Sequence, residues 1–408
     1  MGLGSAAAET RLPTVQPLPD PARLRVVKAL YFFLSVSGGI FFSFINVYYY
    51  SIGLSGVQIG VINTLAPVIG IFGSSLWGFL SDRFGKTRLL LMTAALGSVI
   101  FSLGIAAVQT FAWILPLAAC YSLFNSTLIP MIDSTNFAIL GEYRDRYSEQ
   151  RIWGTIGFIV TSSTIGILLE RTGLHSMFAY YAIAMGLLMV VILRLQPRPA
   201  NLGSTIYKGL GHMVRQPLWV IFFASVFINS IGSNGIINFL GIALKDMGAS
   251  DWLIGFCWTV TALSELPINF YGARLIRRFG APALLALSFL VYFFRIILYG
   301  LMPSPNWVLA INLMHSASYG LFWLGGVTYA NDLSPGSLKA TSQSLFLVAM
   351  NLGAVVGAPL AGWLYDTQGK TGMYLTQSLF SLAAFLVFVI GRQVVLRQGK
   401  KEALVISG

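Results

Sequence analysis

The stretch GFLSDRFGKTR, residues 78–88, sets Asp82, Arg83, Lys86 and Arg88 between two long apolar runs. Those runs cover 56–80 and 88–108. A helix needs roughly 20 apolar residues to cross a bilayer. Each run is long enough, so the charged stretch reads as a tight loop at a membrane surface.

The pattern repeats along the whole chain. Of its 408 residues 56% are hydrophobic and 10% are charged, and the mean hydropathy is +0.75. Soluble domains carry about 25% charged residues. So few charges cannot cover a water-facing surface of this size, which excludes a soluble enzyme or binding module. Twelve spans are expected, at 29–50, 56–80, 88–108, 111–138, 152–169, 174–195, 217–243, 252–273, 281–302, 306–330, 342–364 and 373–396. Loop signals such as SIGLSG, GEYRDRYSEQ, KDMGASD and MPSPN separate them. The break at Val108-Gln109-Thr110 is the weakest.

Charge gives the direction. With twelve spans and the N-terminus inside, nearly all Lys and Arg fall on cytoplasmic segments. The exceptions are Arg171, Lys245 and Lys370 outside and Arg295 within a span. Such an excess is the positive-inside bias. It accounts for the net charge of +12 without nucleic acid as a partner. Cys120 and Cys257 lie inside apolar runs, which is neither a disulfide framework nor a metal motif. Residues 1–22 lack the apolar core of a cleaved leader.

The chain also echoes itself. SDRFG (81–85) follows the second span and IRRFG (276–280) follows the eighth. GILLERTG (166–173) ends the fifth and GWLYDTQG (362–369) ends the eleventh, both reading G-x3-acid-x2-G. The expected organisation is an N-terminal segment 1–28, a six-helix bundle 29–195, a linker 196–216, a second bundle 217–396 and a tail 397–408. The segment, linker and tail are expected on the cytoplasmic side, with the plasma (inner) membrane as the site.

Residues 78–88 resemble the signature loop of the major facilitator superfamily, G-x-x-x-D-R-x-G-[RK]-[RK]. Gly78, Asp82, Arg83, Gly85 and Lys86 match, and Thr87 replaces a base. The resemblance implies an all-α fold of twelve transmembrane helices in two pseudo-symmetric bundles. It also implies that these five residues act as a conformational gate.

A carboxylate near the end of the fourth span, in LIPMIDSTNFAIL (128–140), sharpens the resemblance. Asp133 and Arg151 are equally far from Glu142, so a helical hairpin brings them to one height. An ionised Asp in a span must be paired or face water. Pro130, Asp133, Arg151, Gly154 and Gly157 are similar in order to the lactose permease-like branch, which also takes in nucleoside and phenylpropionate permeases. In that branch the matching acid and Arg bind substrate; a structural clip is the bland alternative.

Three more ionisable groups sit deep in consecutive spans. Glu265 lies about 21 Å into the eighth, Arg295 about 22 Å into the ninth and His315 about 13 Å into the tenth. Such residues pair and face a cavity, or lock the fold. The branch places an acid, an Arg and a His on these spans for proton coupling. Here Ser318 stands where it has a second acid, so Glu265 is the first candidate carrier and Asp133 the second. Asn229, Asn234 and Asn238 in the seventh span are read as solute lining or as interhelical glue. Tyr48, Tyr49 and Tyr50 are read as interfacial anchors.

The expected function is a secondary transporter importing a small polar organic solute with protons: a sugar, nucleoside or aromatic acid. With no P-loop, ATP is not the energy source, and no cofactor is expected. The expected partners are solute, protons and lipid, with the chain a monomer. A drug–proton exchanger is the alternative, weakened because the fifth span lacks proline. A non-transporting receptor is the alternative of another class. The lone Cys and His residues offer no nucleophile–base pair or metal cluster, so an enzyme is not expected.

Overall fold

Pro21 opens the first helix, with the Asp20 carboxylate accepting from the Ala22 amide at 2.8 Å. This is a sequence-coded start: an acidic cap followed by a proline whose missing N–H costs nothing in the first turn. The computed structural model describes residues 20–84, 86–195, 216–334 and 338–406. Among them it is helical throughout, with no strand.

The spanning elements are α1 (Pro21–Ser51), α2 (Gly56–Phe84), α3 (Thr87–Ala106), α4 (Phe111–Leu140), α5 (Tyr147–Thr172), α6 (Met177–Leu193), α7 (Pro217–Asp246), α8 (Asp251–Phe279) and α9 (Ala281–Leu301). Helix α10 runs over 307–332. The last helical stretch, Lys339–Ile406, holds two spans. Gly369, at φ 67°, divides it into α11 (339–368) and α12 (370–406). That backbone angle is open to glycine and strained for other residues.

Among the described residues nine stretches are long and apolar enough to cross a membrane. The last of them holds both α11 and α12, α2 is apolar over the shorter piece Gly56–Gly70, and α10 is broken by a π-turn. The molecule is therefore a twelve-helix membrane protein of two six-helix bundles.

The bundles repeat each other in packing. In the first, α1 packs on α5 and α6, and α3 on α4 and α6. In the second, α7 packs on both α11 and α12, and α9 on α10 and α12. Aromatic rings fill both cores: Phe41 stacks on Tyr121 at 4.3 Å, and Phe222 on Phe346 at 5.9 Å. Lipid is as apolar as these rings, so close packing rather than water exclusion holds the helices together. Tyr48 and Tyr49 belong to this interior, which corrects the expectation of interfacial anchors. The cause is that α1 is central, covered by α5, α6 and α7.

The bundles meet along α1–α7, α5–α8 and α2–α11. At one end the contact is close. The Asp366 carboxylate accepts from the Gly56 and Val57 amides at 2.7 and 2.9 Å. Glu170 accepts from the Trp252 amide at 2.9 Å. Each acid of the G-x3-acid-x2-G echo thus caps a helix start in the opposite bundle, where free amides and the helix dipole favour negative charge. The first glycine of each echo permits the approach. A methyl group at Gly362 would collide with the Gly56 carbonyl oxygen, and one at Gly166 with that of Asp251. The Tyr50 hydroxyl donates to Asp246 at 3.2 Å across the same end. At the other end, Leu128–Leu140 and Leu266–Phe279 pack on helices of their own bundle.

Of the signature loop, Gly78 lies within α2 and Lys86 is exposed ahead of α3. Gly85 and the side chains of Asp82 and Arg83 lie outside the described residues, as do 1–19, the linker residues 196–215 and the last two residues.

Candidate functional site

Asp133 projects from the second part of α4, which restarts at Leu128 after an interruption at Ser126 and Thr127. Two phenols donate to its Oδ1: Tyr31 from α1 at 2.5 Å and Tyr147 from α5 at 2.9 Å. Arg151 lies one helical turn beyond Tyr147 and donates to that phenol at 2.6 Å. Its nearest approach to Asp133 is 4.0 Å. The hairpin does bring acid and base to one height, but Tyr147 stands between them as a relay. The Asp133 side chain is 22% exposed and that of Arg151 59%. Ahead of this pair, Arg146 donates to Glu149 at 2.8 Å.

The second polar group is built at two broken helices. α8 is interrupted at Glu265, where Leu266-Pro267 begins a new segment. α10 passes through a π-turn, Ser316–Gly320, directly after His315. Such turns widen a helix and recur at functional sites. Here the irregularities aim Glu265 and His315 at each other: His315 Nε2 lies 2.8 Å from Glu265 Oε1.

Arg295 completes the group from α9, where it is 1% exposed. One guanidinium nitrogen donates to His315 Nδ1 at 2.9 Å and to Ser318 Oγ at 3.0 Å. The other donates to the Tyr299 hydroxyl at 2.7 Å and Asn312 Oδ1 at 3.2 Å. Tyr299 also donates to Asn312, and Asn312 Nδ2 reaches the Cys257 carbonyl at 2.7 Å.

This geometry settles the imidazole tautomer. A guanidinium only donates, so His315 Nδ1 accepts. The ring proton is then on Nε2 and is donated to Glu265. His315 is a neutral bridge between a buried cation and a half-exposed carboxylate.

The Tyr319 ring lies on that of His315, 5.1 Å between centroids.

The asparagines of α7 are placed elsewhere. Asn229, Asn234 and Asn238 are all buried. Asn234 donates to the Ser230 carbonyl at 2.5 Å and Asn238 to Asn234 at 3.2 Å. Their helix packs on α11, where Gly353 faces Ser230 and Gly357 faces Asn234. Among the described residues no hydrogen bond joins them to Asp133 or Arg151. Sequence reasoning missed Tyr31, Tyr147, Tyr299 and Asn312. Two carried a usable signal: Tyr147 and Tyr299 lie one turn from Arg151 and Arg295, the two arginines singled out in the sequence. Tyr31 carried none.

Comparison with known proteins gives a consistent picture. The sequence model of the MFS_1 like family matches residues 24–376. The maltose permease of Geobacillus stearothermophilus is 27% identical over 90% of this chain and 94% of its own. The Escherichia coli (strain K12) protein named probable 3-phenylpropionic acid transporter is 25% identical over 88% and 95%. The crystal structure of nucleoside transporter NupG superimposes with a TM-score of 0.79 at 16% identity, covering 90% of this chain and 98% of that one.

Proposed function

The chain belongs to the MFS_1 like family of the major facilitator superfamily and is a membrane transporter, and from that premise we propose that it imports a small polar organic solute together with protons by alternating access. One observation carries the reading. Two ionisable groups, Asp133–Arg151 and Glu265–His315–Arg295, come one from each bundle, beyond an end that the Glu170 and Asp366 caps hold shut.

The distribution of Lys and Arg supports cytoplasmic termini, with the linker around 196–216 on the same side. The capped end then faces outward and the site opens inward, in the plasma (inner) membrane. Rocking the bundles breaks the caps and opens the other side. In this reading Asp133 and Arg151 hold the solute, Glu265 carries the proton, and Arg295 and His315 set its affinity. Residues Gly78, Asp82, Arg83, Gly85 and Lys86 form the inner gate. Asn229, Asn234 and Asn238 stiffen the α7–α11 contact on which the bundle turns.

Vesicles reconstituted with the chain in weak buffer test this with a pH electrode. Sugars, nucleosides and aromatic acids are added singly. External alkalinisation on adding one class is the expected result. Solute uptake that leaves pH unchanged and ignores an imposed pH gradient overturns the coupling.

A further inference from the structure

The charges of the site choose among those solutes. Resting on the function proposed above, we infer that the cargo is an organic monoanion, a carboxylate that docks on Arg151 when Glu265 is protonated.

The first half of the argument is which groups are open. Asp133 already accepts from Tyr31 and Tyr147, and its other oxygen faces Arg151. Its Oδ1 is therefore engaged, and only Oδ2, on the side of Arg151, is left for a solute. Arg151 is the more exposed partner, and among the described residues it makes one hydrogen bond, to Tyr147. An exposed guanidinium with free N–H groups is a bidentate donor for a carboxylate. The open chemistry of the first bundle is therefore that of a cation.

The second half is the sum of charge. The site holds Asp133, Arg151, Glu265 and Arg295 as formal charges, with His315 neutral by its tautomer. With Glu265 ionised they cancel. Glu265 is 35% exposed and bonded through one oxygen, so its other oxygen is free to take a proton from water. The groups around it are His315 and Tyr319 from α10 and Tyr292 and Arg295 from α9. None of these can replace the lost negative charge at neutral pH. Arg295 then bonds only neutral acceptors: His315, Ser318, Tyr299 and Asn312. An acid at position 318 would cancel it, but the residue is serine. The protonated site thus carries one net positive charge, which is costly in a membrane interior. A monoanion on Arg151 cancels it. A neutral sugar or nucleoside leaves it in place. One proton and one monoanion also cross together without moving charge, so membrane voltage does no work on the loaded step.

The test uses the full chain in weakly buffered vesicles, corrected for protein-free vesicles. The probes are acetate, lactate, benzoate, 3-phenylpropionate, 3-phenylpropanamide, maltose and uridine. At least one carboxylate is expected to drive alkalinisation, with a rate that changes less than twofold under an imposed potassium diffusion potential. The amide, maltose and uridine are expected to be silent, and Arg151→Gln is expected to raise the half-saturating carboxylate concentration at least tenfold. Proton flux driven by maltose or uridine but by no carboxylate overturns the inference while leaving the proton coupling intact. Carboxylate flux unchanged in Arg151→Gln, in vesicles holding as much folded protein as the parent, also overturns it. Silence across the panel, with folded protein present, counts against the proposed function itself.

Discussion

At its capped end the molecule uses one device twice, and in its middle it uses two different ones. Glu170 and Asp366 hold equivalent places in the two bundles, and each caps a helix start in the other bundle beside a glycine contact. In the middle, Arg151 is exposed and joined to its acid by a tyrosine, while Arg295 is sealed among neutral acceptors. Under the proposed function the difference has a cause. Closing the end would ask both bundles for the same rocking motion, so the repeat would survive there. Binding and coupling would ask for an accessible charge and a guarded one, so the repeat would be lost.

The largest effect is expected where the guarded charge is removed. Arg295→Met leaves the Glu265–His315 bridge without its cation and the Tyr299–Asn312 cage empty. Transport is expected to vanish, and thermal unfolding in detergent to show a loss of about 3–5 kcal/mol, because several buried acceptors lose their donor at about 1–3 kcal/mol each. Parental uptake and stability in this variant would erase the distinction between the two arginines.

Next comes Glu265→Gln, which fixes the neutral form of the carrier. Uphill accumulation is expected to stop while solute exchange across the membrane continues and loses its pH dependence. Accumulation at the parental level would move the proton elsewhere.

Asp133→Asn keeps the acceptors for Tyr31 and Tyr147 but removes the charge facing Arg151. Losing the charge that competes with a solute carboxylate for Arg151 is expected to tighten carboxylate binding by about tenfold, or roughly 1.4 kcal/mol, on the scale of one charged hydrogen bond. Affinity equal to the parent would reduce Asp133 to a clip between α4 and α5.

The smallest effects probe the repeated device. Asp366→Ala removes two amide caps and Glu170→Ala one, each worth about 1–2 kcal/mol at a helix start. Both are expected to shift the bundles toward the alternative opening, Asp366→Ala further. Spin-label distances between Ser55 and Thr367 read this directly. A shift in one variant alone would break the symmetry between the caps.

Much of this was legible before any coordinates. Asp133, Glu265, Arg295 and His315 stand out because a charge inside an apolar run has few reasons to be there. The break at Glu265-Leu266-Pro267 was visible for a similar reason. The phenols and amides that complete both groups were not. Tyr and Asn are common in spanning helices, and helix rotation decides which of them turn inward. Tyr48 and Tyr49 show the reverse error: their position near a span end suggested lipid headgroups, but α1 is covered on several sides.

The number of spans, the doubled bundle and the distribution of charge were already settled in the chain. Lipid imposes that economy, because each crossing needs its own unbroken apolar length and each loop its own polar residues. Tertiary structure alone decided that Tyr147 separates Asp133 from Arg151, that His315 is a neutral bridge, and that Glu170 and Asp366 cap helices of the opposite bundle. Each of these joins residues from different helices, and their meeting depends on how the helices rotate and pack, which no single span encodes.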